Sequence, residues 1–156
     1  MIYAVYKNKI YLANIRQSKV RLKTRVVEPG FNELVDLAGN IHKGIFIKEI
    51  DINDVDIIYA IEHRVLYKGS EYKCLKVNSQ TLDINYITIY TSDSDIAKKY
   101  GFTKKEQFIF DKDVSLDEID ALIEIKKPIL KFSNLKGQKI TINQKDIKNY
   151  LSNIIE

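Results

Sequence analysis

"KEIDINDVDIIYAIEHRVL", residues 48–66, lies without a gap over "KDVSLDEIDALIEIKKPIL", residues 112–130. Lys48 falls on Lys112, Ile50 on Val114, Ile52 on Leu116, Asp54 on Glu118, Val55 on Ile119, Asp56 on Asp120, Ile61 on Ile125, Val65 on Ile129 and Leu66 on Leu130. Self-similarity at a fixed offset is the mark of a repeated structural unit. Side chains on a strand point to opposite faces with a period of two. Counting by twos therefore sets Val55, Ile57, Tyr59 and Ile61 on one face of the first stretch, and Ile119, Ala121, Ile123 and Ile125 on the same face of the second.

Working outward, "ELVDLAGN" (33–40) lies over "DIAKKYGF" (95–102). Each reads as a short helix stopped by a glycine, Gly39 or Gly101, where a left-handed residue ends a helix at least cost. Ser92 or Asp93 is the expected cap of the second of these helices. The start of the unit recurs as "YKNKIY" (6–11) and "YKGSEY" (67–72), with a third echo in "LKGQKI" (135–140). Lys-Asn or Lys-Gly between strand-like flanks suits a tight hairpin.

The expected unit is thus hairpin, strand, short helix, strand, turn, strand, present as repeats 1–66 and 65–130. A capping segment, 131–156, follows. In it "NQKDIKNYLSNIIE" spaces Ile147, Leu151, Ile154 and Ile155 at helical intervals behind Asn143. A few strands of this size cannot bury an apolar face alone, so the copies are expected to pack as a single domain, 1–156. The fold class is α+β and strand-rich: two tandem bent antiparallel sheets or small open barrels plus a C-terminal helix.

The chain has 156 residues, 45% hydrophobic and 29% charged, which suits one globular domain. No apolar run approaches the roughly 20 residues that span a bilayer. The opening residues lack the pattern of an export signal, so a cytoplasmic location is expected. Cys74 is the one cysteine, which excludes an intramolecular disulfide. The net charge of +4 is uneven, since Lys7, Lys9, Arg16, Lys19, Arg21, Lys23 and Arg25 all precede the first acid, Glu28.

Four of those cations sit in "SKVRLKTRVV" (18–27), where Lys19, Arg21, Lys23 and Arg25 alternate with Val20, Leu22, Thr24 and Val26. One strand face becomes a row of like charges, which repel one another and add little to the fold. The corresponding stretch of the second repeat, "NYITIYT" (85–91), sets Tyr86, Thr88 and Tyr90 opposite Ile87 and Ile89. Lys19, Arg21, Lys23, Arg25, Tyr86 and Tyr90 are accordingly the candidate partner-binding residues. A solvated face, an acidic protein partner or a nucleic-acid backbone would each accept them.

The sequence holds no evident reaction centre. His42 and His63 have no zinc-type spacing to Cys or carboxylates. The pairs Asp93 with Asp95 and Asp111 with Asp113 lack the glycine-punctuated calcium loop. Asp117 and Glu118 repeat the turn made by Asn53 and Asp54, and Cys74 in "YKCLKV" reads as a small apolar strand residue. No nucleophile elbow or phosphate-cradling glycine loop occurs. We therefore expect a protein that is not an enzyme and uses no cofactor or metal.

"RVLYKGSEYKCLKV" (64–77), followed by "AKKYGFTKKEQFIFDKDVSLDEIDALIEIKKPIL" (97–130), resembles the immunity proteins that accompany bacterial polymorphic toxins of the contact-dependent inhibition type. The shared features are a Y-x-G-x-x-Y hairpin, Gly-Phe after a short helix, and a Lys-Asp/Glu-Val strand ahead of an acidic turn. The first repeat departs from these by Asn8 in place of the glycine and Asn40 in place of the phenylalanine. The resemblance implies a non-catalytic cytoplasmic binder that occludes a cognate toxin domain encoded beside it. The alternatives are a nucleic-acid-binding or anti-defence protein of a mobile element, and a structural scaffold.

Overall fold

The computed structural model describes residues 1–156. The chain forms strands β1 (Ile2–Tyr6), β2 (Lys9–Arg16), β3 (Lys19–Thr24), β4 (Asn32–Val35), β5 (Ile41–Asp51), β6 (Ile57–Tyr67) and β7 (Ser70–Cys74). Helix α1 (Gln80–Ile84), β8 (Tyr86–Thr91), helix α2 (Ser94–Tyr100), β9 (Thr103–Glu106), β10 (Ile109–Ser115), β11 (Ala121–Pro128), β12 (Gln138–Asn143) and helix α3 (Ile147–Ser152) complete it. The strand-rich α+β class with a helix near the C-terminus is therefore what forms, as open antiparallel sheet. No helix is long and apolar enough to cross a membrane.

The residues gather into two compact units. The first comprises Met1–Ile61, Lys126–Gly137 and Ile155–Glu156. Its strands follow the order β4-β5-β3-β2-β1-β6. The β1–β2 hairpin turns on Lys7 and Asn8, both at positive φ, the geometry of the two-residue turn that matches strand twist. Alternation then places Val20 and Leu22 of β3 at 0% exposure, in a core with Ala4, Tyr11, Ile50, Val55 and Ile58. Removing the side chain of such a residue costs about 2–5 kcal/mol.

The second unit comprises Glu62–Ile125 and Gln138–Ile154. From β6 the strands run β7, β8, β10, β9, and β11 pairs with β6 and β12. Lys68 and Gly69 turn the β6–β7 hairpin, again both at positive φ. Helix α2 is capped as the sequence suggests: the Asp93 carboxylate accepts from the Asp95 and Ile96 amides, and Gly101 ends the helix in the left-handed region. Ile147 and Leu151 of α3 are fully buried in a core with Val65, Ile89, Val114, Leu116, Ile119 and Leu122. Helix α1, by contrast, carries no periodic signal and was not expected from the sequence.

Two expectations are corrected. Residues 33–40 form the edge strand β4 and a tight turn, with no helix. The turn wins because the Asp36 carboxylate bonds the Ala38 and Asn40 amides, which a helix would have committed to its own carbonyls. The strand parity is also shifted by one residue. Ile58, and not Ile57, Tyr59 or Ile61, joins Val55 in the first core, and Leu122 joins Ile119 in the second. Val55 belongs to the turn, and pairing begins only where the Asp56 amide donates to the Val5 carbonyl at 2.8 Å. The count by twos therefore cannot be carried across it. Tyr59 is buried on the opposite face, stacked on Tyr3 at 5.7 Å between ring centres and covered by the Lys126 ammonium at 4.0 Å.

Candidate partner-docking surface

The predicted cations lie in the first unit. Lys19, Arg21 and Lys23 share the outer face of β3, whereas Arg25 stands beyond the strand in a bend, where its Nε donates to the Glu156 carbonyl at 3.3 Å. Two of these like charges are compensated by acids distant in the chain. Lys19 is opposite Asp51 and Arg21 opposite Glu49 on β5, with ion-pair distances of 3.8 and 3.6 Å. Exposed pairs of this kind contribute about 0–1 kcal/mol, and they set a carboxylate beside two of the four cations. On the other flank β2 sets Arg16 opposite Lys19 and Asn14 opposite Arg21.

Tyr86 and Tyr90 lie in the second unit, on β8, opposite Ser115 and Asp111. Between them the Thr88 hydroxyl donates to the Asp113 carboxylate at 2.6 Å. These side chains decorate an ordinary half-exposed strand face.

The remaining titratable residues have local duties. His63 is half-buried, and its Nε2 lies 2.7 Å from the Tyr150 hydroxyl. That hydroxyl donates to the Glu124 carboxylate in a short hydrogen bond. Tyrosine has a single proton to give, so His63 Nε2 must carry the hydrogen of the first bond. Burial pushes the imidazole down to about 4. The Cys74 thiol donates to the His63 carbonyl at 3.3 Å, and burial pushes it up to about 12, which makes it inert. Asp117 forms an ion pair with Lys148 at 3.5 Å. No three His, Cys, Asp or Glu side chains gather as metal ligands would.

The most distinctive surface is the end of the β4–β5 hairpin, in the first unit. Asp36 Oδ1 accepts from the Ala38 and Asn40 amides, each at 2.9 Å. Its Oδ2 accepts from Asn40 Nδ2 at 3.1 Å and faces His42 Nε2 at 3.0 Å. The Asn40 amide and then His42 hold this carboxyl down at about 2. Gly39 supplies the positive φ that lets the chain reverse. What the clamp holds up is apolar: Leu37 is wholly exposed, above Val35 and Ile41, which face each other across the strands at 54% and 59% exposure. The strand beside the tip is short and carries a register shift between Glu33 and Leu34. Both devices discourage edge-to-edge pairing.

A second hairpin end, β9–β10 in the second unit, presents Phe108 at 70% and Ile109 at 41% exposure. The ion pair Lys105–Asp111, 3.5 Å, ties its strands together. Neither tip was a site residue in the sequence reading. Leu37 looked like part of a helix face, and nothing in the string distinguishes an exposed Phe108 from a buried one.

Residues 1–132 match the model of the family described as "Uncharacterised conserved protein UCP033725", and the chain belongs to that family. No curated protein and no solved structure matches it.

Proposed function

We propose that the chain is a non-catalytic immunity protein, which binds a polymorphic-toxin domain in the cytoplasm and blocks it. The observation that carries the reading is the Asp36 clamp. One carboxylate takes up four polar contacts to fix a turn whose only large side chain, Leu37, touches nothing of its own fold. Rigid presentation of an apolar prong lowers the ordering cost of association. It is of no use to a monomer in water. The ion pairs of Lys19 with Asp51 and of Arg21 with Glu49 favour a protein partner over a phosphate backbone, because the two carboxylates would repel phosphates.

We also read the two units as tandem copies of one element. Support comes from equivalent strand orders, β4-β5-β3-β2-β1-β6 and β9-β10-β8-β7-β6-β11. Aligned residues meet in the same way in each: Lys48 lies over the Tyr6 ring at 5.2 Å and Lys112 over Tyr67 at 5.4 Å. Likewise the Asp56 amide donates to Val5 and the Asp120 amide to Leu66.

The test is protection in the cell. Bacteria producing the C-terminal toxin domain encoded beside this chain should survive when the chain is co-produced and die without it. Death in both cases, with the chain present and folded, would refute the reading.

A further inference from the structure

Resting on that reading, we propose that Phe108 is the anchor by which the second unit grips the toxin, and that it enters an apolar pocket edged by carboxylates. The first argument is conformational. Phe108 has φ of +63°, in the left-handed region that bulky side chains avoid. Other hairpin turns with positive φ use Lys7 and Asn8, Gln17, and Lys68 and Gly69, and Phe108 is the one aromatic residue of the chain held there. Local strain of this kind persists only where the surroundings over-determine it, and it concentrates at functional sites. The Lys105–Asp111 pair spans the same hairpin at 3.5 Å.

The second argument is exposure. At 70% exposed, the Phe108 ring gains too little packing within its own fold to offset that strain, and its neighbour Ile109 is also open. Glycine or asparagine would serve the fold better. Aromatic side chains at the centre of an interface are the ones that dominate binding.

The third argument is charge. Lys98 and Lys99 in the last turn of α2, with Lys104 and Lys105 on β9, precede the tip, and Glu106 is the only acid among residues 98–108. Strand β9 is the edge of its sheet, and all four of its residues are exposed. Lysines on an edge discourage strand addition, so recognition falls to the ring at the tip. The lysines around it select a partner surface of opposite sign.

The experiment uses the full chain and the toxin domain encoded beside it, inactivated by substitution. Phe108→Gly and Phe108→Asn should melt no lower than the parent chain, because each relieves the strained φ. Each should bind at least tenfold more weakly, mainly through faster dissociation. Lys104→Glu should slow association at low salt and have little effect at high salt. If the parent chain binds and both Phe108 variants bind equally well, the anchor is refuted while the immunity reading stands. Lowered melting of both variants would also overturn it, by showing that the ring serves the fold. If the parent chain does not bind at all, the immunity reading falls and takes the anchor with it.

Discussion

Replacing His63 by glutamine should remove a large part of the acid sensitivity of this protein. In the folded chain His63 titrates near 4, against 6.5 when free, because burial disfavours the imidazolium. A histidine with a depressed pKa binds fewer protons folded than unfolded. Its contribution is therefore fully present above the unfolded value and is lost as pH falls from about 6.5 toward 4. Integrating that linkage between pH 7 and pH 5 gives a loss of about 2 kcal/mol from this one residue. Glutamine keeps a donor for the Tyr150 hydroxyl but cannot take up a proton. Urea titrations of both proteins at pH 7, 6 and 5 isolate the effect, since groups common to both cancel in the difference. The parent chain should lose about 2 kcal/mol more than His63→Gln over that range. Equal losses would mean that His63 is not held neutral by its site, and would refute the assignment of a neutral His63 donating to Tyr150.

Three further outcomes follow from the packing. A Cβ on Gly137 would stand 2.8 Å from the Lys126 carbonyl oxygen, so Gly137→Ala should destabilise by about 1–3 kcal/mol in denaturant titrations. Lys48→Met should cost about 0.5–1 kcal/mol through loss of the cation over Tyr6. Lys112→Met should cost more, since Lys112 also donates to the Tyr100 carbonyl at 2.7 Å, and equal costs in the two variants would contradict that contact's weight.

What the sequence disclosed was local. Lys7-Asn8 and Lys68-Gly69 are legible as hairpin turns because few residue pairs accept positive φ twice in succession. Asp93 and Gly101 mark the ends of α2, and the alternation through Val20 and Leu22 marks the buried face of β3. What stayed hidden depends on partners distant in the chain or on choices between near-equal local structures. The acids opposite Lys19 and Arg21 come from residues 51 and 49, so the charged row looked uncompensated. His63, Glu124 and Tyr150 meet only once β6, β11 and α3 are assembled. At residues 33–40 the helical pattern was real but short. A single aspartate with amides in reach was enough to turn the chain into a hairpin end, and with it the most exposed apolar surface of the first unit.

The central claim is that the clamped tip of the β4–β5 hairpin docks a toxin, and the affinity of Leu37→Asp for the inactivated toxin domain encoded beside this chain tests it most directly. Leu37 is wholly exposed, so the variant should melt as the parent chain does. A carboxylate driven into an apolar contact should weaken binding at least a hundredfold, consistent with loss of a central anchor. Parent-like affinity for a folded Leu37→Asp protein would contradict the account.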